Sequence, residues 1–213
     1  MFKTFRNKIR EFKEFSKERE YFNKVQGYHD HLAACLEQKT FLPSMHIVKQ
    51  NNIHEYREKY QLNILVETGT YLGDMVEAQK RYFNKVYSIE LSNELYSQAV
   101  DRFGQDSNVE IILGDSGQKL KELLEIIKEP ALFWLDGHYS AGFTAKGNLN
   151  TPIIEELRTV LTNGKEHVIL IDDARLFTGE DDYPSIFQLC SFVNDLSPER
   201  KVIVADDIIR ITP

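Results

Sequence analysis

The chain has 213 residues, of which 42% are hydrophobic and 28% are charged, and its formal net charge is −7. This composition suits one soluble domain with a small appendage. No stretch approaches the roughly 18 uninterrupted apolar residues of a membrane span, and the charged N-terminus lacks the apolar core of a secretory signal. Two cysteines, Cys35 and Cys190, form neither a disulfide framework nor a metal-ligand spacing. We therefore expect a cytoplasmic protein.

Residues 1–60 are predicted to form a helical N-terminal extension. Within them, residues 1–26 carry a charge of about +4, which leaves about −11 for the rest of the chain and argues against binding of nucleic acid. Phe2, Phe5, Ile9 and Phe12 follow helical spacing and indicate a basic amphipathic helix. Packing on its own domain or on a second copy in a homo-oligomer is the simpler role for this helix. Peripheral binding to a membrane surface or an anionic partner is the alternative.

Residues 61–213 are predicted to form one α/β domain, because short apolar runs alternate there with amphipathic helices. A serine cap, Ser92, begins the helix after the second run, and Thr151-Pro152 begins a later one. The chain ends in KVIVADDIIRITP, which indicates two strands joined across residues 205–207. Five strand-then-helix units and this hairpin predict a doubly wound, mostly parallel, seven-stranded Rossmann-like sheet with an antiparallel last strand.

Every predicted parallel strand ends in an acidic residue. These residues are Glu67, Glu90, Asp115, Asp136 and Asp172. Ligands of open α/β sheets bind outside the carboxyl ends of the strands, so the function is expected at this edge.

The first strand leads into a glycine-containing turn, Glu67-Thr68-Gly69-Thr70-Tyr71-Leu72-Gly73, of the form E-x-G-x-x-x-G. Gly69 permits a tight turn and close approach of a ligand, although a glycine pair by itself also fits an ordinary turn. Glu90, at the end of the second strand, can accept hydrogen bonds from ribose hydroxyls. Asp115 lies where a carboxylate can meet an adenine amino group. A nicotinamide-dependent oxidoreductase is the rival interpretation, but it usually shows G-x-G-x-x-G.

These motifs together resemble class I S-adenosylmethionine-dependent methyltransferases over residues 61–213. The resemblance implies that the glycine turn holds the amino-acid end of S-adenosylmethionine, that Glu90 holds its ribose and that Asp115 with Ser116 contacts its adenine. The cofactor-binding residues that it implies are Glu67, Thr68, Gly69, Tyr71, Gly73, Glu90, Leu91, Asp115, Ser116 and Asp136.

A second group of polar residues follows the fourth and fifth strands. Asp136-Gly137-His138 ends the run Phe133-Trp134-Leu135, and Asp172-Asp173 ends the next one. Three carboxylates placed together repel one another unless a cation lies among them, and hard oxygen ligands favour Mg²⁺ or Ca²⁺. An imidazole is suited to act as a general base at neutral pH.

The D-G-H sequence followed by a paired acid resembles the metal-dependent sugar O-methyltransferases of the macrocin O-methyltransferase type. That resemblance implies Asp136, Asp172 and Asp173 as metal ligands, His138 as the base and Asp136 as a second catalytic residue. Some relatives have D-G-x-H, one residue longer. Simpler roles are also open: Asp136 could cap a loop, His138 could be solvated, and Asp172-Asp173 could pair with Arg175 or a helix N-terminus.

The sequence thus predicts an S-adenosylmethionine-dependent O-methyltransferase that acts on a small, hydroxyl-rich acceptor such as a sugar or glycosylated metabolite, assisted by a divalent cation, with Mg²⁺ first. Residues 139–150 are predicted to form a mobile loop over the acceptor. The alternatives are a non-catalytic nucleotide-binding module, recruited through its basic N-terminal helix, and an NAD-dependent oxidoreductase.

Overall fold

A computed structural model describes residues 43–136 and 151–213. The chain divides into two compact units, Met1–Ile47 and Val48–Pro213, and the described residues belong almost entirely to the second. The amphipathic helix predicted near the N-terminus and the loop predicted over residues 139–150 lie outside the described residues. In the part of the chain that is described, no helix is long and apolar enough to cross a membrane.

The described residues form six α-helices, one short 3₁₀ helix at Ala174–Leu176 and seven strands. The helices are α1 (His46–Tyr60), α2 (Asp74–Gln79), α3 (Asn93–Phe103), α4 (Ser116–Ile126), α5 (Ile153–Leu161) and α6 (Ile186–Leu196). The strands are β1 (Ile64–Thr68), β2 (Lys85–Glu90), β3 (Val109–Leu113), β4 (Leu132–Leu135), β5 (Val168–Ile171), β6 (Lys201–Ala205) and β7 (Ile208–Thr212).

The seven strands form one sheet in the order β3-β2-β1-β4-β5-β7-β6. The first five are parallel, and β7 runs antiparallel to both β5 and β6. The predicted Rossmann-like sheet with an antiparallel last strand is therefore confirmed. Since β1 is the middle strand of the five parallel ones and pairs with β2 on one side and β4 on the other, the carboxyl ends of β1, β2, β4 and β5 are neighbours along one edge.

The run at 133–135 lies in β4, where every side chain is buried. Successive residues of a strand point to opposite faces, so Phe133 and Leu135 pack on one face of the sheet and Leu132 and Trp134 on the other. Helices α4, α5 and α6 cover the first face, and α1, α2 and α3 cover the second. Each large apolar side chain that is fully buried contributes roughly 1.5–3 kcal/mol to stability.

Local sequence signals explain where several helices begin. The Ser92 side chain accepts a hydrogen bond from the backbone N–H of Leu95 (3.4 Å), as predicted for a cap. Ser185 and Gln188 form a reciprocal capping box at the start of α6. The sequence after the glycine turn predicts a helical stretch to Arg81, but α2 ends at Gln79, and the chain turns there before it enters β2.

Helix α1 is held to the sheet by a buried polar contact. Arg210 on β7 donates hydrogen bonds from Nε (3.0 Å) and Nη2 (2.5 Å) to Asn52 Oδ1. The side chain of Gln79 adds a bond to the backbone carbonyl of Gln50 (3.1 Å). These contacts fix the position of α1 beside the edge of the sheet where the acidic strand ends converge.

Candidate active site

The glycine turn, defined here as residues 68–73, joins β1 to α2 in a backbone conformation that favours glycine. Gly69, Tyr71 and Gly73 all have positive φ values, of 86°, 49° and 78°. A Cβ atom added at Gly73 would lie 2.5 Å from Cε2 of Phe103, which is buried on α3. Gly73 is therefore required both for the left-handed backbone and for close packing of the turn against α3.

Glu90 connects the glycine turn to the end of β2. Its Oε2 accepts a hydrogen bond from the Tyr71 backbone N–H (2.9 Å), and its Oε1 accepts one from the Ser92 backbone N–H (2.8 Å). Each carboxylate oxygen has a second lone pair, so both retain capacity to accept a ligand hydroxyl. This side chain thus orders the turn and lies beside it, as the predicted ribose contact requires.

Glu67 is buried behind the turn. Its carboxyl group accepts a hydrogen bond from the Ser88 hydroxyl, which also lies 2.6 Å from the Thr70 hydroxyl. Burial raises the pKa of Glu67 to about 8, although the Ser88 bond partly opposes the change. The group is therefore largely protonated at neutral pH, and it supports the turn through Ser88 and Thr70.

The end of β3 supplies the other residues predicted to contact the cofactor. Asp115 is the N-cap of α4, where its Oδ1 accepts a hydrogen bond from the Gln118 backbone N–H (3.3 Å), and Ser116 is the first residue of the helix. Leu91 follows β2 and is exposed, as is Tyr71 on the glycine turn. Both side chains are therefore open to solvent at the edge where the strands end.

Asp136, Asp172 and Asp173, which we call the acid triad, meet beyond the ends of β4 and β5. Each offers a carboxylate oxygen, and these three oxygens all lie within 4.8 Å of one another. Backbone hydrogen bonds continue the ladder to these positions, from Asp136 N to Thr68 O and from Asp172 N to Leu135 O (3.1 Å each). The convergence of the three carboxylates, which the sequence indicated, is thus present.

Asp173 has a left-handed backbone (φ 56°), and its side chain is engaged by Arg175. Arg175 Nη1 donates to Asp173 Oδ1 (2.6 Å) and also to Asp207, which in turn accepts from the Arg175 backbone N–H (2.8 Å). The pairing of Arg175 with this acid was one of the simpler alternatives considered from the sequence. This pairing is compatible with the triad. In the hydrogen bonds that join described residues, Arg175 contacts Asp173 but neither Asp136 nor Asp172.

Lys49, on the first turns of α1, places its ammonium group against the acid triad. Its Nζ donates to Asp172 Oδ2 and lies 3.7 Å from Asp173 Oδ1. Burial alone would lower the pKa of Lys49, but Asp172, Asp136 and Asp173 together raise it above its usual value. For Asp172, burial and the neighbouring carboxylates raise the pKa, and Lys49 counteracts this. The lysine is charged at any physiological pH.

A narrow cleft opens beside the acid triad, between β4, β5 and the start of α5. Its walls combine apolar and polar groups: Leu135, Asp136, Thr151, Ile153, Glu156, Ile171, Asp172, Asp173, Phe177 and Tyr183. Phe177 and Tyr183 pack edge to face with ring centroids 5.3 Å apart. Burial, then the charges of Asp173 and Asp136, raise the pKa of Tyr183 to about 12, so its hydroxyl is a hydrogen-bond donor at neutral pH.

Glu156 is the most buried acid of this cleft, with 1% of its surface exposed. Burial raises its pKa to about 7, while the hydroxyls of Ser116 and Thr68 partly oppose the change. Within the described residues, neither Glu156 Oε1 nor Thr68 Oγ1 has a hydrogen-bond partner of normal geometry. The Glu156 carboxyl group therefore holds its proton to a higher pH than an exposed glutamate does.

The acid triad fits a divalent cation by donor type and by spacing. Ligand oxygens lie about 2.0–2.6 Å from Mg²⁺ or Ca²⁺, so two ligands of one ion are at most about 5 Å apart. The spread of the triad, 4.8 Å, falls within this limit. Two protein cations, Lys49 and Arg175, already neutralise part of the negative charge.

Gly137 and the predicted base His138 lie outside the described residues, as does the predicted loop over the acceptor. The remaining residues predicted for the site all lie on the edge formed by the carboxyl ends of β1–β5. They divide into a donor half, made by the glycine turn, Glu90 and the start of α4, and an acceptor half, made by the acid triad and the cleft.

Three residues of the acceptor half were not identified from the sequence: Lys49, Glu156 and Tyr183. Glu156 had a detectable signal, since it occupies an i+3 position among Ile153, Leu157 and Val160 on the apolar face of α5, where an acid is unusual. Lys49 and Tyr183 had no comparable local signal, because each reaches the triad only through tertiary packing.

Comparison with solved structures gives the same fold. TomG of Streptomyces achromogenes, an O-methyltransferase of tomaymycin synthesis in complex with S-adenosylmethionine, is 16% identical, with 84% of each chain covered and a TM-score of 0.56. An O-methyltransferase of Bacillus cereus in complex with S-adenosylhomocysteine is 14% identical over 87% of this chain and 90% of its own, with a TM-score of 0.55.

The methyltransferase PaMTH1 of Podospora anserina, bound to S-adenosylhomocysteine, is 19% identical, with 77% of each chain covered and a TM-score of 0.51. No protein-family model and no curated protein matches the sequence. The chain therefore has the Rossmann-like fold of the S-adenosylmethionine-dependent methyltransferases, at a sequence identity that establishes the fold alone.

Proposed function

We propose that this protein is an S-adenosylmethionine-dependent O-methyltransferase of the metal-assisted type that macrocin O-methyltransferase represents. Its acceptor would be a small, hydroxyl-rich molecule, such as a sugar or a glycosylated metabolite. The fold supports the methyl donor, and the acid triad beside an open cleft supports a metal-bound acceptor.

One observation carries the proposal: the donor half and the acceptor half of the site are adjacent on the methyltransferase fold. The hydrogen bond from Asp136 N to Thr68 O (3.1 Å) joins the last residue of β1, where the glycine turn begins, to the first member of the acid triad. Bound by the turn, Glu90 and Asp115, the donor would present its methyl group towards the cleft. The acceptor oxygen needs only to be placed in line with it.

The reaction itself requires one proton to be removed. The acceptor oxygen forms a bond to the methyl carbon as the carbon–sulfur bond of the sulfonium donor breaks, and the proton passes to the imidazole of His138. Asp136, Asp172 and Asp173 would hold the divalent cation, whose positive charge lowers the pKa of a coordinated hydroxyl. Tyr183 and Thr151 line the same cleft, and their hydroxyl groups would hydrogen-bond a polyhydroxylated acceptor.

The proposal also includes the rest of the chain. Residues 1–60 would form a helical extension that covers the acceptor side or joins two copies of the chain, and residues 61–213 the catalytic domain. The protein would act in the cytoplasm on a small molecule rather than on nucleic acid, as its acidic balance outside residues 1–26 suggests.

Two substitutions test the division of the site. Asp136→Asn and His138→Ala should each reduce methyl transfer from labelled S-adenosylmethionine to a panel of hydroxylated acceptors by about 100-fold or more. His138→Ala, which changes no residue predicted to bind the cofactor, should bind S-adenosylhomocysteine within a few fold of the unmodified protein in calorimetry. Asp101→Asn, an exposed carboxylate on α3, serves as the control and should retain full activity. An active His138→Ala protein would exclude the imidazole as the base.

A further inference from the structure

The strongest unassigned feature is the ammonium group of Lys49 in the acid triad. Its side chain is 15% exposed, and the side chain of Asp172 that it contacts is 1% exposed. The contact joins residues 123 positions apart in the chain, so it depends on the docking of α1. A buried ion pair of this kind costs free energy of desolvation, and it forms where an unpaired charge would cost more.

The charge of the acid triad explains why a cation lies there. Three carboxylates within 4.8 Å repel one another in a partly buried site, and one positive charge reduces this repulsion. Arg175 provides part of the compensation, but it is also held by Asp207 through its backbone and its side chain. Lys49 contacts Asp172 directly and lies 3.7 Å from Asp173.

The ammonium group and a divalent cation require the same oxygen atoms. Lys49 Nζ donates to Asp172 Oδ2, and the other oxygen of this triad carboxylate, Oδ1, accepts a hydrogen bond from the Asp173 backbone N–H (2.8 Å). Mg²⁺ approaches a ligand oxygen to about 2.0–2.1 Å, which leaves no room for an ammonium group on the same lone pair. Two positive charges a few ångströms apart also repel each other strongly in a site of low dielectric constant.

We infer that Lys49 is the internal counter-ion of the acid triad and competes with the divalent cation, so that metal binding expels the Lys49 ammonium group from Asp172. Lys49 is thus a positioning residue that sets the metal affinity of the site. The long, flexible side chain of Lys49 permits this movement. The planar guanidinium of Arg175 stays in place, because it donates hydrogen bonds to both Asp173 and Asp207. The inference rests on the proposed function in one respect, the binding of a divalent cation by the triad.

Titration with Mn²⁺ alone, followed by the electron paramagnetic resonance signal of the free ion, tests the competition. Lys49→Met keeps the apolar stem and removes the charge, so the Mn²⁺ dissociation constant should fall on the order of tenfold relative to the unmodified protein. Lys49→Arg keeps a positive charge and should bind Mn²⁺ no more tightly than the unmodified protein. Lys59→Met, an exposed lysine of α1, is the matched control and should leave the dissociation constant unchanged.

Thermal unfolding provides a second readout. Without metal, Lys49→Met should melt at a lower temperature, because the buried Asp172 loses its counter-ion. Saturating Mn²⁺ should raise the melting temperature of Lys49→Met by more than it raises that of the unmodified protein. If Lys49 only stabilised the structure of the site, its removal would weaken Mn²⁺ binding. Tighter Mn²⁺ binding by Lys49→Met therefore shows that Lys49 competes with the cation.

Three results would overturn the inference: equal Mn²⁺ affinity in the unmodified protein and Lys49→Met, weaker affinity in Lys49→Met, or no Mn²⁺ binding in either. The first two leave a metal-assisted methyltransferase intact, and the third also removes the metal from the proposal. Calorimetry with S-adenosylhomocysteine is run on the same samples. Failure of the unmodified protein to bind it would refute the methyl donor, whatever the Mn²⁺ result.

Discussion

Gly73 combines two constraints at one position, a left-handed backbone and contact with Phe103. Gly73→Ala should lower the free energy of unfolding by roughly 1–2 kcal/mol because of the left-handed backbone, and by a further ~1–3 kcal/mol because the Phe103 ring is displaced. Gly164 has the same φ of 78° but nothing within 4 Å of its added Cβ, so Gly164→Ala should show only the first loss. Denaturant unfolding of both variants separates the two effects. Equal losses would show that Phe103 moves aside without cost.

Glu67 is expected to make stability depend on pH, because burial raises its pKa from 4.5 to about 8. The folded state holds a proton that the unfolded state releases above pH 4.5. The stabilisation from this proton is complete below that pH and is lost as the pH rises towards 8, by roughly 1.4 kcal/mol per pH unit.

Glu67→Gln keeps an uncharged side chain of similar shape and should remove this loss. Its free energy of unfolding, relative to that of the unmodified protein, should therefore rise between pH 5 and pH 8. Glu125→Gln changes an exposed carboxyl group and serves as the control for the change in net charge. Parallel stability curves for Glu67→Gln and the unmodified protein would show that Glu67 is ionised in the folded state.

At the scale of elements, α1 matters because it brings Lys49 to the acid triad. Asn52 accepts two hydrogen bonds from the buried Arg210, and its removal would leave a charged group without these acceptors. Asn52→Ala should therefore cost about 2 kcal/mol of stability. The exposed neighbour Asn51→Ala should cost less than about 0.5 kcal/mol. A similar small loss in both variants, measured by chemical unfolding, would mean that Arg210 finds other acceptors.

The elements themselves were accessible from local patterns. Apolar runs of strand length, such as 132–135, and caps such as Ser92 act over a few residues, and both are present as predicted. The end of α2 was less accessible, because the apolar pattern continues past Gln79 and the turn into β2 ends the helix. The sequence placed the last strand at or near an edge, and β7 is next to the edge; that β6 is the edge strand itself was not readable, because its sequence is as apolar as that of β7.

At the scale of the whole molecule, binding of the methyl donor should stabilise the fold. S-adenosylhomocysteine at 100 times its dissociation constant should add about 2.7 kcal/mol, which corresponds to roughly 5–11 °C in melting temperature for a domain of this size. NAD at the same concentration should produce no shift. Stabilisation by NAD without any effect of S-adenosylhomocysteine would instead favour an oxidoreductase.

The two halves of the site were accessible from the sequence to different degrees. The glycine turn, Glu90 and the acid triad could be proposed because each follows directly on a strand, and a parallel sheet brings strand ends to one edge. Contacts such as Lys49 with Asp172 and Arg175 with Asp207 join residues 123 and 32 positions apart. Such pairs leave no periodic signal, since their spacing depends on how helices and the terminal hairpin pack.

By itself, the sequence determined the class of fold, the order in which strands and helices follow one another along the chain, and the edge of the sheet at which the acidic residues meet. These properties follow from hydrophobic periodicity and from the chirality of parallel strand connections, which act locally or are common to all such sheets. Only the tertiary structure decided the charge state of the site. Burial keeps Glu67 largely protonated, and the docking of α1 places the Lys49 ammonium group in the acid triad. Both depend on the dielectric surroundings and on distances between residues far apart in the chain.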